Sequence, residues 1–418
     1  MNIIRSDGSI RDHLTSLDIY LGHPALQILQ CRILQDVACG IYPCYYRHCG
    51  DHLKVASSAA ALVIDSGELD LNARFRPPDY LSASLHQTAL RLLSRTVPKP
   101  MKAVFRWLSL RTLHKDPASE ARWYPSWQTI DRRIHRLGAF ERVTASERSY
   151  TFAPDFSLLD TESLLEQSIG LLRQFVQNVE QAFPEHDHII QMGGKDSQLI
   201  SLIPKRQPER WHIFSAQPNA PLVREWLQIN QIPCGRFFSH DNRNEESGQD
   251  LAEKVLCSDL VSDPKQSKWL PAMRRIAASF HNRCLFWAGT AADAIYSYHT
   301  SFHAISAPEY FNLQQTRVSS LQGNYHQTFK NFTCCPLLSP YHSAEIWQNL
   351  YTHYSPAMIS PGTDLRDRLG EKLWGRPLIW LDKNPAPSAY EYPKKTDALA
   401  LYIKGIESHL ADFPSCCS

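Results

Sequence analysis

The spacing of apolar residues changes near residue 160, and the change divides the chain. Leu164, Leu165, Ile169, Leu172, Phe175 and Val179 recur every three or four residues, as on one face of a helix. Thr161 can cap that helix, and the acids Glu162 and Glu166 suit the positive end of its dipole. Beyond it, short apolar runs alternate with helical stretches. His188 to Gln191 reads as a strand, Gly193-Gly194 as a turn and Ser197 to Ile203 as a helix. Trp211 to Phe214 is a second strand, Ala220 to Gln231 a second helix and Cys284 to Ala288 a later strand. Strand, loop and helix in succession predict a parallel sheet wound with helices, an α/β fold.

Upstream the elements are shorter. Leu53-Lys54-Val55-Ala56 alternates apolar and polar, as a half-buried strand does, and the aromatic run ending at Tyr46 lies across Cys49-Gly50-Asp51 from it. The pairing predicts a hairpin over Gly50. Ala59 to Ile64 predicts a short helix, broken at Asp65-Ser66-Gly67-Glu68. The domain boundary falls near residue 155, giving one unit of residues 1–155 and another of 156–418.

Composition narrows the function classes. A chain of 418 residues with 43% hydrophobic content holds two or three domains and folds without disulfides. Its 44 Lys+Arg against 42 Asp+Glu exclude a strongly basic nucleic-acid coat and an acidic tail protein. No nucleic-acid partner is expected. The sequence has no long apolar run, so no membrane span is expected, and its opening segment has no apolar signal core, so a cytoplasmic location is expected. The cysteines show no doubled C-x-x-C spacing and read as reduced thiols. Residues 85–127 depart from the even charge balance. Arg91, Arg95, Lys99, Lys102, Arg106, Arg111, Lys115 and Arg122 face only Asp116 and Glu120 there. This basic insertion is either a solvated helical face with basic side chains lying along it or a docking surface for an acidic peptide or partner.

The segment with chemistry is Ile189-Ile190-Gln191-Met192-Gly193-Gly194-Lys195-Asp196-Ser197, where a strand runs through two glycines into a helix. Glycines let a backbone approach a phosphate, and the helix start adds partial positive charge. Asp196 can hold the magnesium that accompanies pyrophosphate, and Ser197 can hydrogen-bond a phosphate oxygen. The alternative is an ordinary strand-to-helix turn. A second segment, Trp287-Ala288-Gly289-Thr290-Ala291-Ala292-Asp293-Ala294, also follows a strand.

The first segment resembles the SGGxDS pyrophosphate loop of N-type ATP pyrophosphatases, with Met192 in place of the first serine. The second resembles the G-x-G-x-D-E-x-F segment of asparagine synthetases, with Ala291 for the second glycine and Ala294 for the glutamate. Three weaker matches follow in order. Gly40 to Ser58 resembles a hairpin of the glutaminase-like domain, Thr129 to Phe140 the interdomain connection, and Cys335 to Ser339 with Asp364 to Arg368 the C-terminal helical region. The resemblance implies an N-terminal glutaminase-like (Ntn-type) αβ domain and an adenine nucleotide alpha hydrolase-like parallel-sheet synthetase domain. It implies ATP and Mg²⁺, with Met192, Gly193, Gly194, Lys195, Asp196, Ser197 and Gly289 around the nucleotide and Asp196 and Asp293 on the metal. Lys383 resembles the lysine of the family's R-x-x-K segment and is the candidate catalytic cation, with Lys394, Lys395 and Lys404 as alternatives.

Asparagine synthetases carry a cysteine directly after the initiator Met to cut glutamine, whereas this chain has Asn2. An amide cannot replace a thiolate nucleophile, so no ammonia release from glutamine is expected. Family members without that cysteine include β-lactam synthetases and lasso-peptide cyclases. The tyrosine of β-lactam synthetases, three residues before the second aspartate, is Thr290 here. The resemblance therefore implies a carbon–nitrogen ligase that adenylates a carboxylate, closing a macrolactam in a ribosomal peptide, with leader-recognition and leader-protease partners. Two alternatives remain open: a β-lactam or other small-molecule amide former, and a degenerate subunit that binds a partner. His186 and His188 are given no role.

Overall fold

The computed structural model describes residues 20–21, 26–35, 44–72, 129–138, 141–150, 157–240, 248–260, 269–297, 323–343, 346, 350, 353–354, 364–381 and 395–412. The basic segment 85–127, the boundary at residue 155, Asn2, Lys383 and Lys394 lie outside the described residues.

The first unit is antiparallel. β1 (Tyr20–Leu21) pairs with β2 (Leu26–Gln27). β3 (Leu29–Cys31) and β4 (Ile33–Gln35) follow. β5 (Tyr45–Cys49) and β6 (His52–Ala56) form the hairpin expected over Gly50. Cys49 opposes His52, leaving a two-residue turn, and Gly50 takes φ +64° there, the backbone such turns need. α1 (Ala59–Ser66) runs two residues past Ile64, and Gly67 in the left-handed region returns its amide to Ile64 O at 3.1 Å. β7 (Ile134–Arg136), β8 (Glu141–Thr144) and β9 (Arg148–Tyr150) complete two antiparallel sheets, ordered β3-β6-β5-β7 and β4-β8-β9. Leu34, Tyr46, Leu53, Val55, Leu137 and Val143 form one of this unit's apolar cores. The segment expected as a connection thus contributes a strand, β7, paired with β5.

The second unit begins after β10 (Ser157–Leu158) with α2 (Thr161–Ala182). Its cap is Asp160 rather than Thr161. Asp160 is still extended and accepts from Ser163 N at 3.0 Å, whereas Thr161 is already helical. Then come β11 (Asp187–Gln191), α3 (Lys195–Leu202), β12 (Trp211–Ala216), α4 (Ala220–Ile229) and β13 (Phe237–His240). α5 (Gly248–Cys257), α6 (Leu270–Ser279), β14 (Cys284–Ala288), α7 (Ala292–Tyr296), α8 (Gly323–Thr333) and β15 (Leu337–Leu338) follow. β16 (His353–Tyr354) pairs with β10, and α9 (Arg366–Trp374) and α10 (Lys395–Asp412) complete the described elements.

The central sheet is parallel throughout, in the order β13-β12-β11-β14-β15. Alternate strand residues serve opposite faces. Ile190, Ile213, Leu285, Trp287 and Leu338 join α2, α3, α4 and α9 in one core. Ile189, Phe214, Phe286, Ala288 and Leu337 join α6 and α8 in another. Burial on both faces is why β12 and β14 read as near-continuous apolar runs. The fold is mixed α/β. Among the described residues no helix is long and apolar enough to cross a membrane.

The units meet through apolar and polar contacts. Tyr45, the apolar residues of α1, Ile130 and Ile134 pack with Val255 and Leu260, and with Tyr402 and Ile406 of α10. Asp259 is buried among them, and its Oδ1 accepts from Ser58 Oγ at 2.9 Å, Ala60 N at 3.1 Å and Tyr402 OH at 2.8 Å. Burial pushes the Asp259 carboxyl above the usual carboxylate range.

Candidate functional site

The chain enters the parallel sheet at its middle strand. It builds outward through β12 and β13, then returns to the other side of β11 with β14 and β15. In open parallel sheets a crevice opens above the carboxyl ends of the strands where this order reverses. That point lies between β11 and β14. Gly193 to Ser197 leaves the end of β11, and Gly289 to Asp293 leaves the end of β14.

The two segments touch. A Cβ on Gly289 would stand 2.3 Å from both Asp196 C and Ser197 N, and 2.6 Å from Asp196 O. Only glycine leaves room for that approach. Ala291 takes φ 74° and is buried. A left-handed alanine is strained, and it holds here a backbone shape that glycine adopts freely.

In the first segment Gly193 is exposed, Gly194 half-buried and extended, and α3 starts at Lys195. Ser197 N and Gln198 N close the first turn of α3 on Gly194 O, at 3.2 and 3.0 Å. The Ser197 hydroxyl accepts from Gly193 N at 3.1 Å and donates to Gly194 O at 3.0 Å. It braces the loop, where the sequence offers it as a hydrogen-bond partner for a phosphate oxygen. Met192 is also expected among the nucleotide contacts, but its side chain lies in the core and its amide donates to Phe214 O at 2.8 Å. The exposed part of the loop therefore begins at Gly193.

Asp196 is half-buried and tied down twice. Arg366 Nη1 donates to its Oδ1, and Tyr341 OH donates to its carbonyl at 3.0 Å. Arg366 also forks onto Asp364, Nε to Oδ1 at 2.8 Å and Nη2 to Oδ2 at 2.6 Å. Burial works to raise the Asp364 carboxyl, but these bonds from Arg366 prevail and hold it below the usual range. Burial likewise works against the Arg366 guanidinium, and Asp364 and Asp196 together outweigh it, so its pKa rises. Lys195 Nζ pairs with Asp367 at 2.5 Å and lies 5.2 Å from the centre of the Trp380 ring. Asp293 lies in α7, the helix that opens just after Gly289.

Behind the second segment the Thr290 hydroxyl lies 3.1 Å from His326 Nε2, and His326 Nδ1 lies 2.9 Å from Leu337 O. A carbonyl only accepts, so Nδ1 carries the proton and Thr290 donates to Nε2. Burial pushes His326 down to about 4, which keeps this neutral form at pH 7. Ser339 Oγ donates to Thr290 O at 2.9 Å.

Ser339 and Arg366 fall within the segments matched to the C-terminal helical region, without a role assigned to either, and the sequence gives no sign of Tyr341 or His326. Tyr341 and Ser339 follow a two-residue strand, too short to leave a periodic signal. The triad Asp364-Leu365-Arg366 was the available sign, since an acid two residues before an arginine at a helix start can hold its guanidinium in a fork. Lys404 is exposed on α10, and Lys395 opens the same helix. His188 stacks on Trp211 at 4.3 Å and accepts from Trp287 Nε1 at 3.1 Å, a core position.

Among the described residues no cluster of three or more His, Cys, Asp or Glu side chains could hold a metal ion. No protein-family model matches the chain, and no curated protein matches it.

Proposed function

We propose that the protein is an ATP-dependent ligase that adenylates a carboxylate and joins the acyl group to an amine, releasing AMP and pyrophosphate. The observation that carries this reading is the contact of Gly289 with the Asp196–Ser197 backbone at the order reversal of the sheet. It fits an asparagine synthetase-like, adenine nucleotide alpha hydrolase-like unit with ATP in the crevice. The first unit is then a glutaminase-like domain without its cysteine.

Magnesium is held by one or two carboxylates plus phosphate oxygens, not by an all-protein cage. Asp196 meets that demand, with a carboxylate whose side chain is 35% exposed at the mouth of the loop. Asp293 would be the second ligand. When bound, Mg²⁺ neutralises phosphate charge and favours departure of pyrophosphate. The chain's own groups do the rest. The first-turn amides after Gly193 cradle phosphate oxygens, and the start of α3 adds its partial charge. Lys195 and Arg366 supply cations beside the loop. Thr290, fixed by His326 and Ser339, holds the second segment in place. A substrate carboxylate oxygen attacks the α-phosphorus and pyrophosphate leaves. An amine of the same substrate then attacks the acyl carbon, and AMP leaves. Holding amine and acyl carbon together supplies much of the rate.

The substrate class is a ribosomal peptide closed into a macrolactam, with leader-recognition and leader-protease proteins as partners and a cytoplasmic location. The test incubates the full chain, ATP, Mg²⁺, the processing partners and a linear precursor. The expected result is AMP, pyrophosphate and a product one water lighter than the peptide, all lost in Asp196→Asn. Pyrophosphate release with a small amino-acid-like carboxylic acid and no peptide would move the assignment to a small-molecule amide former. A non-catalytic peptide-binding subunit is the second reading, favoured by Met192 in the core and Ala291 at a glycine's position. Tight peptide binding without ATP binding would select it.

A further inference from the structure

Arg366 is the first residue of α9, and its guanidinium is held on two sides. On one side is the fork onto Asp364, reinforced by the Arg366 amide, which donates to Asp364 Oδ1 at 3.1 Å. This grip lies within three residues at one helix start. On the other side Nη1 alone reaches Asp196, 170 residues away in sequence, in the first turn of α3. The Arg366 side chain is 13% exposed, the Asp196 side chain 35%. A bidentate grip is strong and directional. A single contact onto a carboxylate that is 35% exposed is the weaker of the two and the one open to competition. The guanidinium is thus anchored by Asp364 and lent to Asp196.

We propose that Arg366 is a positioning counter-cation that trades partners. In the ligand-free protein it neutralises Asp196, and when metal and triphosphate arrive it yields Asp196 to the metal and turns Nη1 to a phosphate oxygen. The inference rests on the nucleotide-ligase reading above. Arginine suits the task because its donors lie on separate edges, so one edge changes partner while the other keeps its fork; an ammonium has no fork to keep. Mg²⁺ by itself must strip Asp196 from Arg366 and leave Nη1 without an anion, so it binds poorly alone. The triphosphate gives Nη1 a new anion, so metal and nucleotide each improve the other's binding.

Calorimetry on the full chain tests this, titrating Mg²⁺ alone and then ATP with Mg²⁺, with circular dichroism as the check on folding. Arg366→Met is expected to bind Mg²⁺ alone about tenfold more tightly and Mg²⁺–ATP about tenfold more weakly than the wild type. Asp364→Asn keeps the arginine but loosens its anchor, so Arg366 settles on Asp196 and Mg²⁺ alone binds about threefold more weakly. A folded Arg366→Met protein with wild-type affinity in either titration overturns the proposal. If that variant does not fold, Asp364→Asn decides, and unchanged or tighter Mg²⁺ binding overturns it. If the wild type binds no Mg²⁺–ATP, the ligase reading fails separately. In that case tighter Mg²⁺ binding by Arg366→Met still upholds the competition at Asp196, and unchanged Mg²⁺ binding ends it.

Discussion

The two edges of the parallel sheet use the same kinds of side chain to opposite ends. At the amino edge the buried Glu180 carboxylate accepts from Arg206 N at 3.2 Å and Trp211 Nε1 at 2.8 Å. Lys205 Nζ donates to Ile200 O at 2.6 Å and to Ile203 O at 2.5 Å, and lies 4.4 Å from the centre of the Trp211 ring. Burial pushes that ammonium down to about 7. At the carboxyl edge Asp196, Arg366, Lys195 and Asp367 pair charge with charge, partly in contact with solvent. Glu180, satisfied by a backbone amide and an indole, and Lys205, satisfied by backbone carbonyls, serve to fix the sheet. Groups satisfied by each other at a half-open edge can exchange partners with an anion or a cation.

Acid strikes both edges and has the largest expected effect. Burial holds His188 down to about 3 and His326 to about 4, below the roughly 6.5 of an unfolded histidine. Their neutral rings contribute fully above that unfolded value. As pH falls through it the unfolded chain takes up protons first, and stability drains until the folded values are reached. At pH 5 the two rings together cost roughly 4 kcal/mol. Urea unfolding at several pH values checks this, and a slope below that of one proton between pH 6 and 5 would sink it.

Gly289→Ala attacks the carboxyl edge alone. Its Cβ would drive the two segments apart, costing about 3 kcal/mol and abolishing nucleotide binding. Thermal unfolding and calorimetry read both effects, and nucleotide binding at wild-type strength would refute the shared site. Glu180→Ala attacks the amino edge, stranding the Trp211 and Arg206 donors at about 2 kcal/mol, while nucleotide affinity changes less than about twofold. Large loss of affinity in that variant would erase the contrast between the edges. Ala291→Gly relieves a left-handed alanine and is expected to raise stability by about 1 kcal/mol in urea unfolding. Asp367→Ala removes a half-exposed pair with Lys195, and its cost by the same measurement stays within about 0.5 kcal/mol.

Much of the parallel unit was legible in the apolar pattern, because β11, β12 and β14 are buried on both faces and bounded by clear turns. The strand β14 begins and ends where its apolar run does. β15 was not legible, since two residues carry no period. Both glycine-containing segments stand out in the sequence as the chain following a strand, and the resemblance implies that their aspartates meet, but the close backbone approach at Gly289 has no local sign. It depends on the order of strands, which no local spacing encodes. Arg366 was hidden for a similar reason: its pairing with Asp196 exists only once α9 has docked beside α3. Thr161 was misjudged as the cap because Asp160 beside it has an equally suitable side chain, and the backbone decides between them.

The buried carboxylate at Asp259 has a consequence for how the chain is made. Its hydroxyl partner Ser58 precedes it by 201 residues, and Tyr402 follows it by a further 143. The face of α1 that packs on α10 cannot be covered until that last helix has left the ribosome. At roughly 5–20 residues per second, the wait lasts tens of seconds. For that time the part of α1 that α10 will cover stays open while its other contacts, with Tyr45, Ile130 and Ile134, can already form, and it is a surface for chaperones to occupy until Tyr402 arrives.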